Sequence, residues 1–138
     1  MVKIIMGLKG SGKTKELVGL VCQAVKDGNG DVVVIEKDRK LTYDIPYQAR
    51  LVEASSYAIG TYEFLKGFIS GIHAGNYDIT HFFIDNFYKL VSDNKNPEDV
   101  VAFVWWLDAF AARENIEFVI SMSSDKALCP EELKQYLI

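Results

Sequence analysis

The residues with the clearest capacity for chemistry lie near the N-terminus and read Gly7-Leu8-Lys9-Gly10-Ser11-Gly12-Lys13-Thr14. They fit the pattern G-x-x-x-x-G-K-[ST], in which glycines let the main chain curl so that several N–H groups point at one anion. The apolar run Val2–Met6 precedes this loop and a helical pattern follows it, so the positive end of a helix would add to the site. Lys13 is expected to reach the outer phosphates of a nucleotide, and the Thr14 hydroxyl to bind Mg²⁺. A glycine-rich turn that binds nothing is the alternative.

A glycine loop of this kind between a strand and a helix is the signature of the P-loop NTPases, and the chain resembles that family over most of its length. The order of its parts is similar to the RecA-like core and to the ATP-binding core of type II thymidine kinases. Short bacterial ATP-binding proteins, some of them labelled as twitching-motility proteins, are also similar. The resemblance implies binding of ATP, or of another nucleoside triphosphate, together with Mg²⁺.

Proteins of this family hold Mg²⁺ with a second acid at the end of an apolar strand. The segment His81–Phe87, HFFIDNF, is predicted to be a long strand, and Asp85 resembles the Walker B aspartate. An aspartate that begins a turn at a strand end is the alternative. Asn86 follows at the place where many ATP hydrolases of the superfamily carry a catalytic glutamate.

Other strand ends supply further candidates. Glu36 ends the run VVVIE and matches the position of the water-orienting base in the RecA-like branch. A solvated glutamate paired with Lys37 or Lys40 is the alternative. Ser121 and Ser123, at the end of EFVISMS, occupy the place of a polar sensor of the γ-phosphate, where ordinary strand-end serines would look the same.

Several more specific relatives are disfavoured by the residues. Thymidine kinases add a zinc-bound cysteine cluster and a substrate lasso beyond the shared core, so thymidine phosphorylation is not inferred. Asp85-Asn86-Phe87-Tyr88 is not the D-x-x-G of GTPases, and Asn94-Lys95-Asn96-Pro97 lacks the final Asp of N-K-x-D. Pilus-retraction ATPases need a second domain with acidic and histidine boxes, so only the nucleotide-binding core is expected.

The composition narrows the classes of protein that remain. The 138 residues are predicted to form one domain, 1–138, and contain 49% hydrophobic and 25% charged residues, which is typical of a globular protein. A net charge of −4 argues against broad binding to nucleic acid. Cys22 and Cys129 form neither a CxxC pair nor a zinc pattern. With no apolar run long enough to span a membrane, a cytoplasmic location is expected.

The surrounding pattern predicts the elements that must position these side chains. Strands alternate with helices, which indicates a three-layer α/β domain with a mainly parallel sheet. Helices are expected at Lys13–Asp27, Thr61–Ala74, Asn96–Glu114 and Pro130–Leu137, and strands at Val2–Met6, Asp31–Glu36, Arg50–Ala54, His81–Phe87 and Glu117–Met122. Ligands of such sheets lie beyond the carboxyl ends of the strands.

Three functions agree with these residues. The first is an ATP-binding protein with slow Mg²⁺-dependent hydrolysis that regulates a partner. The second is a small phosphotransferase whose acceptor site or lid lies near residues 37–60, flanked by Arg39 and Arg50. The third is a non-hydrolysing module in which the nucleotide stabilises a surface for a protein partner or a homo-oligomer. Trp105 and Trp106 bear on the third, because adjacent helical residues cannot both face one core stripe, so one of them is a candidate partner contact. A helix buried on two sides is the alternative.

Overall fold

A computed structural model describes all 138 residues, Met1–Ile138. Five strands form one sheet: β1 (Val2–Gly7), β2 (Asp31–Glu36), β3 (Arg50–Glu53), β4 (Ile79–Ile84) and β5 (Glu117–Ser123). Four α-helices accompany it: α1 (Lys13–Asp27), α2 (Tyr62–Ala74), α3 (Phe87–Leu90) and α4 (Pro97–Glu114). Three 3₁₀ helices cover Ala54–Ser56, Lys126–Leu128 and Glu131–Tyr136.

The strands run in the order β1-β5-β4-β2-β3, and every neighbouring pair is parallel. The predicted α/β fold with a parallel sheet is therefore confirmed. Gly7 at the end of β1 lies opposite Ser123 at the end of β5, and Ile84 of β4 lies opposite Ile120. Because the carboxyl ends of parallel strands meet at one edge, this order places the end of β5 between the end of β1 and the end of β4.

Alternate residues along the strands belong to two separate hydrophobic clusters. Ile5 and Phe83 pack with the α1 residue Leu17 in one cluster. Their neighbours Ile4 and Phe82 belong to the other, with residues of α2 and α4. Side chains in a strand alternate between its faces, so the sheet is buried on both sides, which explains its nearly continuous apolar runs.

The helix ends follow the capping residues of the sequence. Gly12 precedes α1 and Gly28 ends it in the left-handed conformation. Thr61 caps α2, and its hydroxyl accepts a hydrogen bond from Phe64 N at 3.2 Å. The Asn96 side chain accepts from Glu98 N at 3.0 Å, which confirms the predicted cap ahead of Pro97.

One local prediction is wrong. The strand predicted through Phe87 ends at Ile84, because Asn86 adopts a φ of 50°, and Phe87–Leu90 forms the short helix α3 instead. The helix expected at Pro130–Leu137 is present as a 3₁₀ helix over Glu131–Tyr136.

The irregular segment between β2 and β3 is fixed to the body of the protein. Leu41, Ile45 and Ala49 are buried in the cluster that contains α1. This anchoring does not favour a freely moving lid at the start of residues 37–60.

The two adjacent tryptophans have different environments. Trp105 is 53% exposed, whereas Trp106 packs against the core and stacks with Phe103 at a centroid distance of 5.9 Å. A helix buried on two sides, the alternative for this pair, is therefore excluded at Trp105. No helix combines the length and apolar character needed to cross a membrane.

Candidate functional site

The glycine loop, residues 7–14, follows β1 directly and leads into α1. Gly12, the residue before α1, has a φ of 88°, a conformation that only glycine adopts without strain. A Cβ atom at Gly7 would lie 2.4 Å from Ser11 Oγ, so any larger residue there would force the Ser11 side chain to move. The backbone conformation thus explains glycine at position 12, and the contact with Ser11 favours glycine at position 7.

Main-chain N–H groups of the loop are left free to bind a ligand. Ser11 N donates to Leu8 O at 3.1 Å and closes the turn. In contrast, the N–H groups of Gly10, Gly12, Lys13 and Thr14 donate to no atom of the protein. Free N–H groups at the start of a fifteen-residue helix form an anion-binding arrangement with the positive end of the helix dipole.

Thr14 and Asp85 come together from distant parts of the chain. Thr14 Oγ1 lies 3.3 Å from each carboxylate oxygen of Asp85. Asp85 is buried directly after β4, and its N–H donates to Ile35 O at 3.0 Å. The predicted pair of Mg²⁺ ligands is therefore adjacent.

Ser121 holds Asp85 in place. Its hydroxyl donates to Asp85 Oδ1 at 2.6 Å and accepts a hydrogen bond from Asn86 N at 2.9 Å. Ser121 is fully buried in β5, with its hydroxyl directed at these two residues. Its geometry is that of a residue that positions the aspartate.

A cavity of about 570 Å³ opens beside the glycine loop. No carboxylate lines it, and its residues are Lys9, Gly10, Gly12, Lys13, Thr14, Lys15, Lys40, Asn86, Lys89 and Ser123. We call it the lysine cavity. Five of the chain's fifteen Lys and Arg residues thus surround one space, in a protein whose net charge is −4. This local charge attracts an anion with several negative groups, and the volume suits a small-molecule ligand.

Lys13 is buried at the wall of this cavity, where its Nζ donates to Leu8 O at 3.0 Å. That bond curls the lysine back over the loop. A phosphate oxygen in the loop would offer Nζ a charged acceptor, which binds an ammonium more strongly than a carbonyl does.

Asn86 and Ser123 complete the wall opposite the loop. Asn86 has a φ of 50° and a ψ of 53°, and its Oδ1 accepts from Ser123 Oγ at 3.4 Å. An amide cannot take a proton from water, so Asn86 can orient a ligand but cannot serve as a general base.

Glu36 lies apart from the lysine cavity. Its carboxylate accepts from Lys40 N at 2.9 Å and from Leu41 N at 3.0 Å. It is only 3% exposed and pairs with no lysine side chain, so the alternative of a solvated ion pair with Lys37 or Lys40 is wrong. Burial raises the pKa of the Glu36 carboxyl, and the two N–H donors oppose this without cancelling it.

A narrow crevice connects Glu36 with the rest of the site. It is lined by residues that include Asp85, Asn86 and Lys89, and the last two also line the lysine cavity. Glu36 therefore both fixes the turn that carries Lys40 and lies near the predicted metal ligand.

Sequence reasoning missed three lysines of the cavity wall. Lys15 lies one residue beyond the motif, while Lys40 and Lys89 come from the segment after β2 and from α3. The latter two carry no local signal, because only the strand order brings their segments to the glycine loop.

The side chains of Thr14 and Asp85 fit Mg²⁺ in their donor atoms. Thr14 and Asp85 offer oxygen atoms, which are the ligands that Mg²⁺ prefers. No group of three or more His, Cys, Asp or Glu side chains could hold a metal by itself. This agrees with a Mg²⁺ ion that one carboxylate and one hydroxyl share with the phosphates of a substrate.

Comparison with known proteins adds no family assignment. The chain matches no protein-family model, and no curated protein is significantly similar to it. The relation to P-loop NTPases, inferred from residues 7–14 and Asp85, therefore stays a prediction.

Proposed function

We propose that this protein is a P-loop nucleotide-binding protein that takes a nucleoside triphosphate, ATP in the first place, together with Mg²⁺. The observation that carries the proposal is the meeting of Thr14 and Asp85 at 3.3 Å, beside a loop with free N–H groups. Thr14 lies in the first turn of α1, and Asp85 lies directly after β4. Their adjacency is explained by a shared metal–phosphate ligand.

The fold supports the same proposal. The loop leaves the end of a parallel strand, and ligands of such sheets bind beyond the carboxyl ends. The two hydrophobic clusters, with α1 in one and α2 and α4 in the other, agree with the three-layer arrangement expected of P-loop proteins.

Each residue then has a defined task. The N–H groups of residues 10 and 12–14 bind phosphate oxygens, and Lys13 binds the outer phosphates. Thr14 and Asp85 would hold Mg²⁺, which neutralises charge on the β- and γ-phosphates when bound. Ser121 keeps the Asp85 carboxylate oriented, and Ser123 faces the phosphates as the candidate sensor.

Hydrolysis is proposed to be slow. Asn86 cannot deprotonate water, and Glu36 uses both carboxylate oxygens to fix main-chain N–H groups. Glu36 retains free lone pairs and a raised pKa, so it stays the candidate for the base that orients water. If phosphate release by Glu36→Gln protein, verified as folded, equals the wild-type rate, Glu36 is not that base.

A phosphotransferase is the second candidate function, favoured by one observation. A second cavity, lined by Arg39 and Arg50, adjoins the crevice at Glu36. It lies within residues 36–57 and is large enough for an acceptor molecule. ATP consumption that starts only when an acceptor is added would distinguish this function from hydrolysis.

Isothermal titration with Mg·ATP, Mg·GTP and ADP tests the proposal. We expect saturable binding of at least one nucleotide with a stoichiometry near one, and weaker binding when Mg²⁺ is chelated. Absence of binding to all three by folded protein would overturn the proposed function. The ratio of the ATP and GTP affinities gives the base preference.

A further inference from the structure

A second cavity of about 580 Å³ lies along β3 and at the carboxyl end of β2, outside the lysine cavity. We call it the tyrosine–arginine cavity. The side chains that matter here are Glu36, Arg39, Tyr43, Arg50, Glu53 and Tyr57. The proposed nucleotide site uses none of them for phosphate or metal binding.

The two arginines of this cavity differ in whether they have a carboxylate partner. Arg39 forms an ion pair with Glu53, whose other oxygen accepts from Ser55 Oγ at 2.8 Å. Arg50 forms no ion pair. A guanidinium without a carboxylate partner at the wall of a cavity is suited to a phosphate or carboxylate of a ligand.

Two aromatic rings line the same space. Tyr43 is 99% exposed, so its ring contributes nothing to the core. Tyr57 is half-exposed and fixed against Phe68 at a centroid distance of 5.4 Å. An exposed ring beside an immobilised one provides a surface on which a planar group can stack.

The two cavities adjoin at Glu36. That side chain lines the tyrosine–arginine cavity and also the crevice that contains Asp85, Asn86 and Lys89. Asn86 and Lys89 in turn line the lysine cavity. A ligand seated against Tyr43 and Arg50 would therefore be connected to the lysine cavity through Glu36 and this crevice.

We propose that the tyrosine–arginine cavity binds a second small ligand, a mononucleotide, whose base stacks on Tyr43 and whose phosphate pairs with Arg50. A mononucleotide combines the planar ring and the anion that these two side chains recognise, and its size fits the cavity. This inference deepens the second candidate function and rests on it for the role of the ligand as phosphoryl acceptor. Binding itself does not require the glycine loop.

The test is titration of AMP, GMP, CMP and UMP, and of the four corresponding nucleosides, into wild-type and Lys13→Ala protein. We expect at least one mononucleotide to bind both proteins with a Kd below about 1 mM. Arg50→Gln and Tyr43→Ala should each weaken that binding by about fivefold or more. The matched controls Arg113→Gln and Tyr47→Ala, both exposed and outside the cavity, should leave it unchanged.

Other outcomes contradict the inference. It is wrong if no mononucleotide binds, if binding disappears in Lys13→Ala protein, or if nucleosides bind as tightly as their monophosphates. If a single-stranded oligonucleotide binds, and its affinity depends on Tyr47 as strongly as on Tyr43, the mononucleotide inference is wrong and the surface binds a nucleic-acid strand. If the Arg50 and Tyr43 variants still bind Mg·ATP, a failure of the mononucleotide inference does not affect the proposed nucleotide site.

Discussion

Thr14 and Asp85 are separated by 71 positions in the chain, yet the Thr14 hydroxyl lies 3.3 Å from both oxygens of the Asp85 carboxylate. The contact joins the first turn of α1 to the end of β4, although β5 separates β4 from β1 in the sheet. Ser121, which is buried in that intervening strand, donates a hydrogen bond to the carboxylate. The sheet thus brings a hydroxyl and an acid together, and Thr14 also lines the lysine cavity.

Asp85→Asn should separate metal binding from phosphate binding. The substitution keeps the size of the side chain and removes the charge that would hold Mg²⁺. We expect Mg·ATP affinity to fall by about tenfold or more, while the affinity for ADP measured in chelator changes little. Asp108→Asn, remote on α4, is the matched control. Equal Mg²⁺ dependence in wild-type and Asp85→Asn protein would contradict the assignment.

Ser121→Ala should lower both stability and Mg²⁺ dependence. It removes one hydroxyl that serves Asp85 and the Asn86 N–H, and a buried polar group left unpaired costs about 1–3 kcal/mol. Ser123→Ala, which loses only a long bond of 3.4 Å, should change the free energy of unfolding by less than about 0.5 kcal/mol. Urea unfolding of both variants measures the difference. Equal values would show that Ser121 does not position Asp85.

Gly7→Ala should weaken nucleotide binding, whereas Gly71→Ala should stabilise the protein. The first places a Cβ atom 2.4 Å from Ser11 Oγ and 3.1 Å from Ser11 Cβ, so the Ser11 side chain must shift within the loop. We expect nucleotide binding to weaken. The second adds a Cβ atom in open space on α2 and should stabilise the protein by about 0.5–1 kcal/mol. Normal nucleotide binding by Gly7→Ala protein would contradict the close packing of the loop.

The pH dependence of stability should report the burial of Glu36. Its pKa is raised in the folded protein, so the folded state binds the proton more tightly than the unfolded state does. The resulting stabilisation is complete below the unfolded pKa and is lost as the pH rises through the folded pKa. Glu36→Gln protein should therefore lose less stability than wild type as the pH rises from about 4.5. Glu63→Gln, exposed on α2, should retain the wild-type profile. Parallel pH profiles for wild type and Glu36→Gln would contradict the raised pKa.

The order of elements could be predicted from the sequence because each signal is local. Gly28 ends α1, Asn96 and Pro97 begin α4, and the apolar run of β2 has the predicted bounds Asp31–Glu36. The end of β4 was missed because Phe87 continues the apolar pattern, whereas the left-handed conformation of Asn86 turns the chain away.

The candidate site could be predicted only in part. Gly7–Thr14 and Asp85 carry recognisable spacing or position, and the structure brings Thr14 and Asp85 together. Lys40 and Lys89 reach the cavity through the arrangement of the sheet, which no local pattern encodes. The burial of Glu36 depends on the turn at Lys40 and Leu41, so its main-chain partners could not be inferred from the sequence.

Thermal unfolding of wild-type and Lys13→Ala protein with Mg·ATP tests the central claim most directly. A ligand at about 100 times its Kd adds about 2.7 kcal/mol of stability, which should raise the Tm of the wild type by roughly 4 °C or more. Lys13→Ala protein should show no shift, whereas Lys26→Ala, in the last turn of the same helix, should respond as the wild type does. If folded wild-type protein shows no shift with Mg·ATP, Mg·GTP or ADP, or if Lys13→Ala protein shows the full shift, the proposed nucleotide site is wrong.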